Sequence, residues 1–292
     1  MSEGDTLRRF VFEHAPIRGE VVHLDATWRA VTRRHDYPPP LRALLGEMMA
    51  AVALLSATVK FKGRLVAQLQ GSGPVTLLVV EGTSERTLRA IAHWNREVPD
   101  GDLQALLGDG RLAITLEPEG EGERYQGIVE ARGASLADAL ADYLMRSEQL
   151  DTRLLLVAGE ASAAGLLLQK LPGRVDEEDA DRWNRVTRLA ATLTPGELLE
   201  LDAREIIRRL FHEEDVRLFE AEPVCFRCSC SRERVANMLR ALGSGEVHGI
   251  LDEMGQVEVA CEFCNQKYVF DAVDVDQLFA AGVPHDAPGR KQ

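Results

Sequence analysis

Five cysteines occur in this 292-residue chain, all between positions 225 and 264, and the first 224 residues contain none. Four of them form Cys228-x-Cys230 and Cys261-x-x-Cys264, with thirty residues between the pairs. Two close thiol pairs separated by a folded stretch can bring four sulfurs to one point, as a tetrahedral zinc site requires. Four thiolates fill the shell of one zinc, which leaves no position for water or substrate and speaks against zinc hydrolysis. The sulfur remains reactive, because metal binding keeps each cysteine deprotonated and the thiolate is the form that oxidants attack. The spacing of Cys228-Ser229-Cys230 is unusual. Zinc knuckles normally place two residues between ligands, and a single spacer strains the backbone and any disulfide across it, which points to redox chemistry beyond structural binding. Cys225 reads as a spare thiol or a small buried hydrophobe.

The elements around these cysteines fall into three segments. Residues 1–172 alternate strand and helix signals: strands over 7–13 and 17–24, helices over 26–35 and 41–59, then strands around Leu65, over 75–81 and 88–94, and around Ile114. Residues 125–132 continue the sheet, Ser135 with Asp138 caps a helix carrying Leu136, Leu140, Tyr143 and Leu144, and 153–158 and 166–171 return to strand. This is an α+β core domain. Residues 173–222 hold 22 charged residues in 50, and read as thinly apolar helices with Trp183, Val186, Ala190 and Leu193 on one stripe and Ile206, Ile207, Leu210 and Phe211 on another. Such a segment is either an ordinary helical linker or an element that opens at low cost. From residue 223 to 292 a small zinc-binding module follows, with helices over 232–242 and 246–254 and a strand pair at 256–260 and 267–272. About 70 residues rarely supply more than about 3–5 kcal/mol from a core alone. Metal loss is therefore expected to unfold the module.

Composition narrows the partners. The net charge of −13 divides as −4 over residues 1–172, −6 over 173–222 and −3 over 223–292. No segment is basic, so a nucleic-acid partner is not expected. The N-terminal residues resemble neither a signal peptide nor a transit peptide, and the apolar run 41–59 carries Arg42 and Glu47, so a cytoplasmic protein with no membrane partner is expected. His248 lies between the cysteine pairs but meets a filled shell, and Arg227, Arg232, Arg234 and Lys267 read as surface charges that could also offset a four-thiolate site. No Ser/His/Asp or paired-carboxylate constellation can be assigned, and the protein is not read as an enzyme.

The runs CSCSRERV at Cys228 and CEFCNQKYVFD at Cys261 resemble the redox-regulated chaperones of the heat-shock protein 33 family. The likeness continues through HDYPPP at His35, QLQGSGP at Gln68, EGERYQGIV at Glu121, YLMRSEQL at Tyr143, LLLQKLPG at Leu166 and FHEED at Phe211, and so covers essentially the full length. It implies an ATP-independent holdase, inactive while reduced and zinc-loaded on Cys228, Cys230, Cys261 and Cys264. Adjacency lets each pair close its own disulfide. The resemblance implies that Cys261–Cys264 oxidises first, with zinc release and linker destabilisation, and that Cys228–Cys230 then locks the active state. It further implies homodimers when oxidised, unfolding client proteins as partners, and onward transfer to ATP-dependent foldases. The extra Cys225 departs from the pattern and could compete in pairing. Two other readings of the cysteines stand beside this one: a zinc-ribbon nucleic-acid binder, and a thiol-disulfide oxidoreductase using Cys261-x-x-Cys264.

Overall fold

The computed structural model describes residues 4–59, 62–120, 122–172 and 181–280. They form two compact units, the first ending at Arg227 and the second beginning at Cys228.

The first unit opens with the hairpin β1 (Thr6–Phe12) and β2 (Ile17–Leu24), followed by helices α1 (Ala26–Thr32) and α2 (Pro39–Thr58). Strands β3 (Gly63–Gln70), β4 (Val75–Thr83) and β5 (Thr87–Trp94) come next, then α3 (Leu103–Leu107), β6 (Arg111–Pro118), β7 (Tyr125–Glu130), α4 (Leu136–Glu148), β8 (Thr152–Ala158) and β9 (Ala163–Lys170). Helices α5 (Arg182–Ala190), α6 (Pro195–Glu200) and α7 (Ala203–Phe211) precede β10 (Val216–Pro223) and the short β11 (Cys225–Phe226). The strands make a five-stranded sheet in the order β10-β1-β2-β9-β8 and a six-stranded sheet in the order β11-β5-β4-β3-β6-β7.

Helix α2 lies against both sheets and forms the centre of the larger core. Pro39 and Pro40 start it, where a missing N–H costs nothing, and apolar residues then surround its axis. It is long and apolar enough to cross a membrane, yet it is mostly buried inside the protein, as a core helix is. In β3, Leu65, Ala67 and Leu69 alternate onto its side of the six-stranded sheet. Strand β9 is buried on both faces: Ala163 and Leu167 meet the α2 core, and Ala164, Leu166 and Leu168 meet a second core. This explains why residues 163–169 show an unbroken small and apolar run up to Gln169.

The second core differs from what composition predicts for the charge-rich segment. Val186, Ala190, Leu198, Ile206, Leu210 and Phe211 pack on Phe10, Phe12, Val21 and Leu166 of the five-stranded sheet. The Phe12 and Phe211 rings meet edge to face with centroids 5.2 Å apart. Gly19 leaves room for this arrangement, because a Cβ there would lie 2.1 Å from Cζ of Phe10. Residues 216–222, within the segment expected to be helical, instead form β10 together with Pro223, paired antiparallel with β1 from Thr6↔Pro223 to Phe12↔Val216. Cys225 and Phe226 then pair with Thr87 and Leu88 of β5. Segment 181–227 thus belongs to the first unit, and the boundary falls at 227/228 rather than at 172/173 and 222/223. Residues 173–180, the start of the expected linker, lie outside the described residues.

The second unit contains α8 (Arg232–Leu242), α9 (Ser244–Met254), the hairpin β12 (Val257–Ala260) and β13 (Lys267–Phe270), and α10 (Ala272–Ala280). Its buried core consists of Val235, Leu239, Val247, Val257, Phe270, Val275 and Leu278. Seven residues, four of them valine, make a small core, as the composition of this module leads one to expect.

Candidate metal centre

Two local structures deliver the thiols. Cys228 and Cys230 lie on the extended stretch leading to Ser231, which caps α8 by accepting the Arg234 N–H at 3.2 Å. The positive end of the α8 dipole therefore lies next to Cys230. Cys261 and Cys264 occupy the turn of the β12–β13 hairpin. There Cys261 N–H donates to the Gln266 carbonyl at 2.9 Å, and Asn265 N–H donates to the Cys261 carbonyl at 2.7 Å. The turn needs a positive φ at Asn265, +57°, a region asparagine tolerates better than most residues.

All four sulfurs lie within 4.8 Å of one another. Cys228 Sγ is 3.7 Å from Cys261 Sγ, and Cys230 Sγ is 3.4 Å from Cys264 Sγ. A tetrahedron with metal–sulfur distances of 2.3 Å has edges of about 3.8 Å, so the cluster is close to the size of a four-thiolate site. Burial pushes the Cys264 thiol up to about 12 and also raises Cys261, while backbone N–H groups of the turn act in the opposite direction. A divalent cation held among the four sulfurs would offset the negative charge of their thiolates. The cluster can hold a metal ion, and its donor set is consistent with zinc.

The groups around the cluster differ from the sequence expectation. Among the four basic residues considered, only Arg234 reaches the cysteine loops, through Nη1 donating to Ser229 Oγ at 2.8 Å. Arg227 pairs with Glu85, and Lys267 with Glu258. Arg232 holds Asp274 at 2.7 Å and lies over the Phe270 ring. His248 bonds to Ser244 and Asp276 and is not part of the cluster. Cys225, exposed on β11, belongs to the first unit and is likewise outside it. A residue the spacing did not reveal is Tyr268, whose hydroxyl donates to Cys230 Sγ at 3.1 Å. That bond, followed by burial and the neighbouring thiols, raises the phenol to about 12. Its signal was the β13 alternation, which puts Tyr268 on the same face as the buried Phe270, next to the cysteine turn.

Fold and site together define an α+β protein whose second unit is organised around four converging thiols able to hold a metal ion. The family model described as "Hsp33 protein" matches residues 5–271, and the chain belongs to that family. It is 52% identical over 283 residues to a protein of Nitrosococcus oceani named 33 kDa chaperonin, covering 97% of each chain. A protein of the same name from Methylobacillus flagellatus is 49% identical over 284 residues, again covering 97% of each. The crystal structure of the 33 kDa chaperonin (heat shock protein 33 homolog) of Thermotoga maritima shares the fold. Its TM-score is 0.82 at 22% identity, covering 95% of this chain and 98% of that one.

Proposed function

We propose that this protein is a molecular chaperone, an ATP-independent holdase that binds unfolding proteins under oxidative stress and is switched by its thiols. The observation that carries the reading is the convergence of Cys228, Cys230, Cys261 and Cys264 within 4.8 Å in a unit with a core of seven residues. Its relatives are named chaperonins, which supports the chaperone class and a non-enzymatic role.

In the reduced state Cys228, Cys230, Cys261 and Cys264 would hold one Zn2+, which supplies the cross-link that so small a core lacks. Oxidation to Cys261–Cys264 and Cys228–Cys230 disulfides removes the ligands and the unit loses its organising centre. Chain continuity carries the change into the preceding segment, because β10 and β11 lead directly through Arg227 to Cys228. Segment 181–222 then detaches, and its release uncovers Ile206, Ile207, Leu210 and Phe211 for unfolded clients. In this reading the active form is a homodimer, acts in the cytoplasm and passes clients to ATP-dependent foldases.

The test is light scattering of a thermally unfolding client enzyme, with reduced zinc-loaded protein and with protein treated with a hydroperoxide. Suppression only after oxidation is expected. Equal suppression in both states would remove the switch, and catalytic disulfide turnover without suppression would favour an oxidoreductase.

A further inference from the structure

One side chain of the hairpin reaches across to a thiol of the other pair. Tyr268 stands on β13, in register with Val259 of β12, so it belongs to the hairpin that carries Cys261 and Cys264. Its hydroxyl nevertheless donates to Cys230 of the other pair at 3.1 Å, while its ring packs, half-buried, on the core of the second unit. Cys230 thus takes a hydrogen bond from a donor that is fixed to the hairpin, and its sulfur also lies 3.4 Å from Cys264 Sγ of the same hairpin.

We propose that Tyr268 is a positioning residue that orders the thiol chemistry, by restraining Cys230 until the hairpin bearing Cys261 and Cys264 has reacted. The inference rests on the redox reading above. An O–H···S bond draws electron density from the sulfur and occupies one of its lone pairs, which lowers its nucleophilicity and holds it in place. With a hydroperoxide, one thiolate of the hairpin attacks an oxygen, giving a sulfenic acid and releasing hydroxide or alkoxide. The second hairpin thiolate displaces hydroxide from that sulfur, forming the S–S bond; two thiolates are oxidised and one peroxide bond is reduced. When the hairpin then opens, Tyr268 leaves with it and Cys230 loses its donor. The late reactivity of Cys230 follows from the strand on which that donor sits.

The test uses the full-length, reduced, zinc-loaded protein and Tyr268→Phe, which keeps the ring and removes only the hydroxyl. Hydroperoxide exposure is quenched by alkylation at intervals, and each cysteine is followed by mass spectrometry. In the parent protein the Cys230 thiol is expected to outlast Cys261 and Cys264. In Tyr268→Phe its loss is expected to accelerate about three- to tenfold relative to those two, the range one hydrogen bond spans. The cobalt(II)-loaded variant is also expected to show its sulfur-to-metal charge-transfer band at lower energy. Incorporating a fluorotyrosine at position 268, a stronger donor of nearly the same shape, should slow Cys230 instead. Equal acceleration of all four thiols with an unmoved cobalt band, or unchanged relative rates, would overturn the proposal. A client-scattering assay on the same samples separates the two readings. Loss of ordering in the variant alongside no suppression by either protein would sink the chaperone reading and leave the Tyr268 role standing.

Discussion

Arg86, in the turn between β4 and β5 of the six-stranded sheet, grips Glu222 of β10 in the five-stranded sheet, with Nε 3.0 Å and Nη2 2.9 Å from Oε2. Arg9 of β1 holds the other carboxylate oxygen at 2.5 Å, and Arg86 also donates from Nη1 to the Ser56 carbonyl of α2 at 3.2 Å. One carboxylate on the last long strand before the thiol module is thus tied to both sheets of the first unit. Arg86 is only 15% exposed, so this ion pair is screened less than a surface pair.

Replacing Glu222 by Gln should therefore weaken the docking of β10, by about 1–3 kcal/mol for a charge-assisted bond in a partly buried setting. The expected outcome is faster proteolytic nicking within residues 181–227 and partial suppression of client aggregation without oxidant. Limited proteolysis of the reduced protein measures it; an unchanged nicking rate would mean that the Glu222 bonds do not hold the segment.

Phe211→Ala removes the ring that closes the second core against Phe10 and Phe12. A large-to-small change at such a site costs about 3–5 kcal/mol. Hydrogen exchange should show α5–α7 opening earlier while α2, buried in the other core, keeps its protection. Uniform loss of protection across both cores would indicate that the two do not open separately.

Stability should fall as pH rises from about 4.5 to 8. Burial raises the Glu20 carboxyl from its ordinary 4.5 to about 8, against the opposing influence of Arg18, Arg86 and Arg9. Its Oε2 has no hydrogen-bond partner among the described residues. Burial also raises Glu47 to about 7. Between the unfolded and folded values the native state holds protons that the unfolded state has released, so rising pH favours unfolding until the folded groups ionise too. Glu20→Gln should flatten the slope, most clearly between pH 7 and 8 where Glu47 contributes little. Denaturant midpoints across this range test it, and an unaltered slope in the variant would place the titration elsewhere.

Chelation of the metal should melt α8, α9 and α10 while leaving the first unit folded, because seven core residues cannot hold the module without its cross-link. Far-ultraviolet circular dichroism with and without a chelator, reversed by added zinc, follows the change. A second unit that keeps its helices after complete zinc removal would show that its core suffices.

Much of the site was legible because its signal is local. The 228/230 and 261/264 pairs named the cluster that the fold assembles, and the Ser135 cap marked a helix that forms there. The strand expected over residues 17–24 forms with those bounds. What was not legible depends on distant partners. Strand β10 reads as a continuation of charged helices, and only pairing with β1, more than 200 residues earlier, makes it a strand. The division into two sheets around α2 has the same origin. Helix α3 was passed over although Asp102 accepts the Ala105 N–H at its start, because five residues are too few for a periodic stripe. Helix α10, opened by Asp271 accepting the Asp274 N–H, went unread for want of a longer pattern. The β13 alternation put Tyr268 on the face of Phe270, but its bond to Cys230 joins that strand to a stretch 38 residues earlier, which spacing alone cannot bring together.

The central claim is that the thiol cluster switches client binding. It is tested most directly by recording zinc release with a chromophoric chelator and client light scattering on the same sample during hydroperoxide treatment. The account predicts about one zinc released per chain, with suppression of scattering following its time course. Complete zinc release with scattering unchanged would contradict it and leave the four cysteines a purely structural site.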